Sequence, residues 1–196
     1  MTEKTLERRA AMATLLADRP NNLFVVPGLG STTWDAAAAA GGNDDRDFYL
    51  RGAMGGAAMI GLGLALAQPK ARVAVITGDG EMLMGLGSLA TIGVKQPPNL
   101  FVVVFDNGLY GETGMQASHT QNGVDLCSVA RACGFERVLD VYDQDGLTAL
   151  AKLMRTLSRM LFARVRISRE DAPRFLPEKD GVVIKDRVRK ASAALG

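Results

Sequence analysis

The stretch Ala71-Arg72-Val73-Ala74-Val75-Ile76-Thr77-Gly78-Asp79-Gly80 is an apolar run that ends in a carboxylate bracketed by glycines. After the 25 residues 81–105 comes Asp106-Asn107-Gly108, at the end of a second apolar run, Leu100-Phe101-Val102-Val103-Val104-Phe105. Near-continuous apolar runs of this length suit strands of a parallel sheet buried on both faces. Ligands of such sheets bind beyond the carboxyl ends of the strands, where both motifs stand. Asp79 offers a carboxylate and Asn107 an amide oxygen, hard donors suited to Mg²⁺, which fills its remaining positions with phosphate oxygens or water. Gly78 and Gly80 let the backbone approach a phosphate. The two motifs together read as a cradle for a diphosphate and its magnesium.

Other nucleotide-binding signatures fail on spacing. Gly28-Leu29-Gly30, Gly61-Leu62-Gly63 and Gly85-Leu86-Gly87 each lack the third glycine of G-x-G-x-x-G, and the chain has no G-K-[ST]. A Gly-Asp-Gly alone is an ordinary turn after a strand. The second motif, at this distance, is what favours the cradle.

Strands are expected at 23–26, 71–76, 99–105, 137–141 and 162–167. Helices are expected at 3–17, 33–40, 54–67, 81–93, 125–132 and 145–157. Their alternation implies an α/β fold, a doubly wound, mainly parallel sheet with helices on both faces. The whole chain, 1–196, is expected to form a single domain, with 168–196 a C-terminal extension. In Phe162-Ala163-Arg164-Val165-Arg166-Ile167 apolar and charged residues alternate, which suits an edge strand with surface arginines. The basic run Lys185, Arg187, Arg189 and Lys190 reads as a solvated terminal helix.

Composition fits a globular protein, with 47% apolar and 22% charged residues, and a formal charge of +2 argues against a dedicated nucleic-acid surface. The longest apolar stretch, 53–67, is 15 residues and glycine-rich, short of the roughly 20 needed to cross a bilayer. Arg8-Arg9 ahead of Ala10–Ala17 faintly resembles an export signal. However, Glu3 and Glu7 accompany the arginines and Asp18-Arg19-Pro20 follows without a cleavage pattern, so the segment reads as an amphipathic first helix. Cys127 and Cys133, six apart with no companions, read as buried free thiols in a reducing cytoplasm.

The Gly-Asp-Gly and Asp-Asn pair resembles the pyrophosphate-binding domain of thiamine-diphosphate enzymes, and the likeness covers nearly the whole chain. The loop Asp106-Asn107-Gly108-Leu109-Tyr110-Gly111-Glu112-Thr113-Gly114-Met115-Gln116 is similar to the cofactor loop of the β subunits of sulfopyruvate and phosphonopyruvate decarboxylases. The resemblance implies that Asp79, the Asn107 side chain and the Leu109 carbonyl hold Mg²⁺. It also implies that amides around Gly80 and Glu81 meet the diphosphate, helped by the dipole of a helix beginning at Gly80. Gly52 is matched to a backbone acceptor for the aminopyrimidine and Met54 to an apolar wedge under the cofactor. Gly30 and Ser31 match the family's first cofactor loop, while Tyr110 and Gly111 fall close to the diphosphate. Trp34 and Tyr110 read as packing residues rather than cofactor stackers. Glu81 departs from the family's small or hydroxyl residue, so its charge is expected to point away or to pair with a cation, unless it weakens diphosphate binding. Asp106 replaces the commonest asparagine and reads as a strand-end turn residue.

His119, the single histidine, falls in the polar loop 115–123. It reads either as an ordinary loop histidine or, by the resemblance, as a group that with Glu112 manages protons over the thiazolium or binds the substrate's distal anion. Thr113, Gln116 and Ser118 are equally placed for hydrogen bonding. In this family the glutamate that activates the cofactor lies in a separate pyrimidine-binding domain. The resemblance therefore implies a β subunit whose α subunit supplies that domain, with self-association of β subunits. The implied enzyme is a cytoplasmic, heteromeric 2-oxo acid decarboxylase. The alternatives are a carboligase, an aldehyde or 2-oxo acid oxidoreductase, or a non-catalytic cofactor-binding subunit. The ferredoxin-linked oxidoreductases are disfavoured, since the chain lacks cysteine sets for iron–sulfur clusters.

Overall fold

The computed structural model describes residues 5–170 and 172–195. Helix α1, Arg8–Leu16, leads into strand β1, Leu23–Pro27, and then α2, Ser31–Ala39, and α3, Ala57–Ala67. Residues 3 and 4 of the expected first helix, Glu3 among them, lie outside the described residues. Strand β2, Arg72–Gly78, is followed by α4, Asp79–Met84, and α5, Ser88–Lys95. Strand β3, Leu100–Asp106, opens into a small antiparallel ribbon of β4, Leu109–Tyr110, and β5, Gln116–Ala117. Then come α6, Leu126–Ala132, β6, Arg137–Val141, α7, Gln144–Thr156, β7, Leu161–Arg166, and α8, Gly181–Ala193.

The five long strands form one all-parallel sheet in the order β1-β2-β3-β7-β6. Alternate residues of each strand feed two cores, because successive side chains point to opposite faces. Val25, Ala74, Ile76, Phe101, Val103 and Phe105 pack with apolar residues of α1, α2 and α7. Phe24, Val26, Val73, Val75, Val102 and Val104 pack with those of α3, α5 and α6. The doubly wound α/β architecture is thus built by burying β2 and β3 on both faces.

Three expectations are corrected. The strand at 161–166 is not at the edge: β7 sits between β3 and β6, and β6 forms the edge. Its arginines pair with the neighbouring strand, Arg164 and Arg166 donating to the Asp140 carboxylate of β6 at 2.7 and 2.9 Å. The helix expected at 81–93 is broken into α4 and α5. At the break, Gly85 lies so close to the Gly55 carbonyl that a Cβ there would overlap it. Helix α8 is not simply solvated. Ile184 and Val188 are buried, and the Arg187 guanidinium lies 5.6 Å over the Tyr49 ring. Both cysteines are free; Cys127 is buried and Cys133 half-buried. Among the described residues no helix is long and apolar enough to cross a membrane.

Candidate functional site

A cavity of about 130 Å³ opens beyond the carboxyl ends of the sheet, where Phe105 of β3 and Ile167 after β7 form part of its wall. Four separate segments bring the expected residues there. The β1–α2 loop contributes Leu29 and the start of α2 Ser31, and the loop before α3 contributes Met54. The β2–α4 junction contributes Gly78, Asp79, Gly80 and Glu81. The segment after β3 contributes Asn107, Leu109, Tyr110, Gly111 and Glu112. Gly30, Gly52 and His119 are not in that lining. Gly30 abuts the Glu112 carboxylate, and His119 Nδ1 is hydrogen-bonded to the Tyr110 hydroxyl. The Tyr110 ring lies over Gly80, its Cδ1 2.8 Å from where a Cβ of residue 80 would stand. Trp34 is stacked under the Arg174 guanidinium at 4.7 Å, a packing role as expected.

Asp79 is 2% exposed. Its Oδ2 accepts from Ser118 Oγ at 2.5 Å and from Thr120 Oγ1 at 3.3 Å. Thr120 Oγ1 also lies 2.8 Å from Asp106 Oδ1. A hydroxyl carries one proton, so two carboxylates share two hydroxyl donors at the strand ends. Burial pushes the Asp79 carboxyl up to about 6; the Ser118 and Thr120 hydroxyls oppose that rise and the Asp106 charge adds to it. Asp106 Oδ1 also accepts from the Gly108 amide at 3.0 Å, closing the turn expected of it. Asn107 Oδ1 accepts from the Leu109 amide at 2.9 Å and keeps a second lone pair free for another partner. This set is oxygen-only, electron-rich and short of donors, which is the chemistry a hard divalent cation satisfies. Asp79 and Asn107 are thus oxygen donors of the kind that could hold such an ion.

Glu81 lines the cavity, but its carboxylate is engaged by the surrounding chain. Its carboxylate accepts from the Leu29 amide and the Thr77 hydroxyl, each at 2.9 Å, and from the Gly55 amide at 3.3 Å. Burial raises its pKa, and these donors offset part of that rise.

Comparison with known proteins places the chain. Residues 28–165 match the family described as thiamine pyrophosphate enzyme, C-terminal TPP binding domain. The chain belongs to the thiamine pyrophosphate enzymes. It is 45% identical over 152 residues to phosphonopyruvate decarboxylase of Streptomyces viridochromogenes, an overlap covering 76% of this chain and 37% of that protein. It is 37% identical over 131 residues to sulfopyruvate decarboxylase subunit beta of Methanococcus maripaludis, covering 66% of this chain and 69% of that one. The overlap spans 36–50% of the length of three of these relatives, and the phosphonopyruvate decarboxylases, at 36–37%, are much longer than this chain. Benzoylformate decarboxylase from Polynucleobacter necessarius shares the fold with a TM-score of 0.71 at 21% identity, over 86% of this chain and 34% of that one. In this thiamine pyrophosphate enzyme domain the matched span holds all four cavity segments, from the β1–α2 loop to the segment after β3.

Sequence reasoning gave no role to Thr120, Thr77 or the Leu29 amide. A threonine next to a strand-end glycine and a second one 14 residues beyond the metal motif were the available signals. Thr77 meets Glu81 four residues on, whereas Thr120 shows its partner only when the loop after β5 folds back over Asp79.

Proposed function

We propose that this chain is the β subunit of a heteromeric thiamine-diphosphate-dependent 2-oxo acid decarboxylase, acting on a sulfopyruvate- or phosphonopyruvate-like substrate. The observation that carries the reading is the meeting of Asp79, Asn107, Met54 and Ser31 around one cavity. Support comes also from the names of two relatives, a phosphonopyruvate decarboxylase and a sulfopyruvate decarboxylase subunit beta. We read 1–196 as one pyrophosphate-type domain, 168–196 being an extension whose helix α8 is anchored by Ile184 and Val188.

Bound thiamine diphosphate supplies the electron sink for loss of the substrate carboxylate as CO₂. This chain's part is to hold and orient it. Asp79, Asn107 and the Leu109 carbonyl would bind Mg²⁺, and Gly80 and Glu81 would offer amides to the diphosphate. Met54 would fix the cofactor's bend, and Gly52 would offer its carbonyl to the aminopyrimidine. Tyr110 and Gly111 would flank the diphosphate, with Gly30 and Ser31 approaching from the α2 side. Glu112, between β4 and β5, and His119, just after β5, would manage protons at the reacting end. A proton taken up or given at His119 is steered by the Tyr110 hydroxyl bonded to its Nδ1. The charged side chains lining the cavity, Asp79, Glu81 and Glu112, are all acidic. A cation that recognises a sulfonate or phosphonate is therefore assigned to the α subunit, together with the activating glutamate.

The test is CO₂ release from sulfopyruvate and phosphonopyruvate by the chain alone and by the complex recovered with it from its source cells. The expected result is release by the complex and none by the chain alone, in a soluble cytoplasmic assembly with paired subunits. Robust release by the purified chain overturns the split site. A complex that binds thiamine diphosphate and ligates or oxidises, without net decarboxylation, favours the other fates of the same bound substrate.

A further inference from the structure

Glu81 is a buried carboxylate in a cavity built to receive an anion, an arrangement that requires a reason. Its three donors come from three different pieces of chain. Leu29 belongs to the loop between β1 and α2, Gly55 to the loop before α3, and Thr77 to β2 itself. The Ala57 amide favours the same charge. Each oxygen is used: Oε2 holds Leu29 and Thr77, and Oε1 holds Gly55. The fit is tight enough to restrict a neighbour, since a Cβ at Gly28 would overlap Glu81 Oε2. Gly28 in turn is fixed by Thr32 and Thr33, whose hydroxyls donate to its carbonyl at 3.0 and 2.6 Å.

The two tethered loops are the one that leads into Ser31 and the one that carries Met54. We propose that Glu81 is a positioning residue, a latch that sets the gap between the diphosphate loop and the wedge loop before a cofactor enters. The inference rests on the proposed cofactor site and deepens it. A ligand that must touch both loops depends on the latch, whereas a ligand that touches only the metal end depends on it little. The negative charge beside the diphosphate site is thereby spent on backbone amides rather than directed at phosphate.

The test uses the full chain with Mg²⁺ and Glu81→Gln, which keeps the shape but removes the charge and turns one of the two acceptor oxygens into a donor facing a backbone amide. Amide hydrogen exchange at Leu29 and Gly55 is expected to quicken by about tenfold, the worth of one lost hydrogen bond, with strand amides of β2 and β3 unchanged. Affinity for thiamine diphosphate is expected to fall by about tenfold and that for inorganic diphosphate by less than about threefold. Glu81→Asp, which cannot reach both loops, should behave alike and serves if the first variant folds poorly. Unchanged exchange, or equal losses for the two ligands, overturns the proposal. A wild-type chain that binds no thiamine diphosphate overturns the proposed function instead, and the exchange arm still decides whether the latch exists.

Discussion

Asp79 accepts from two hydroxyls, and a second carboxylate, Asp106, stands behind one of them, Thr120. Asp79→Ala is expected to abolish Mg²⁺-dependent thiamine diphosphate binding in a calorimetric titration; binding at wild-type strength would sink the metal assignment. Glu112 gives a prediction of opposite sign. Its carboxylate lies against Gly30, the residue that caps α2, on the side from which the diphosphate is expected to be approached. Neutralising an exposed like charge near a phosphate relieves about 1 kcal/mol, so Glu112→Gln is expected to tighten binding by about fivefold. Weaker binding would show instead that the carboxylate helps to hold the ligand. At this scale Asp79 and Asn107 were legible, because a local motif fixes them to strand ends. The direction of Glu81 was not, because sequence places a charge but not the rotamer that carries it to Leu29. Thr120 was invisible for a related reason: it reaches Asp79 across 41 residues of chain.

At the scale of elements, the strands β2 and β3 were readable from their apolar runs alone. The place of β7 was not. Alternation with Arg164 and Arg166 looks like the face of an edge strand, and only the pairing with Asp140 shows that another strand, β6, lies beyond it and meets the charges. That pairing has a measurable consequence. Burial acts to raise the Asp140 pKa, but the two guanidiniums outweigh it and hold the carboxyl at about 2, against an ordinary 3.8. A depressed pKa adds stability that is fully present above about pH 4 and is lost as pH falls through about 2. With the side chain 31% exposed, solvent screening reduces that contribution to about 1 kcal/mol. Urea unfolding of Asp140→Asn is therefore expected to show a loss of about 1 kcal/mol at pH 7, shrinking toward zero near pH 2. Asp44, held at about 2 by Arg46 and Arg19 against the opposing effect of burial, titrates in the same window. The variant should consequently flatten only part of the acid limb, and an unchanged limb would remove the sheet ion pair from the account.

For the whole molecule the α/β class followed from the alternation of runs, while the strand order did not, because pairing partners are distant in sequence and nothing local encodes them. The expected inactivity of the chain by itself also belongs to this scale. Single-turnover CO₂ release measured with and without the copurified subunit checks it, and turnover by this chain unaided would refute it. Helix α3 is apolar on nearly every side, and Met59 and Leu66, 44% and 49% exposed, share one of its faces. Burial of that face in an assembly accords with the same reading.

The interior position of β7 also sets a timetable. During synthesis β3 leaves the ribosome as Leu100–Asp106, yet the strand that hydrogen-bonds its far side is made some 60 residues later, at Leu161–Arg166. At roughly 5–20 residues per second, the most apolar strand of the chain waits about 3–12 s with one edge open. An open apolar edge invites pairing with other chains. The nascent protein is thus most exposed to misassembly in the interval between its third and seventh strands, when the cavity walls from β1, β2 and β3 already exist but the sheet that supports them is not yet closed.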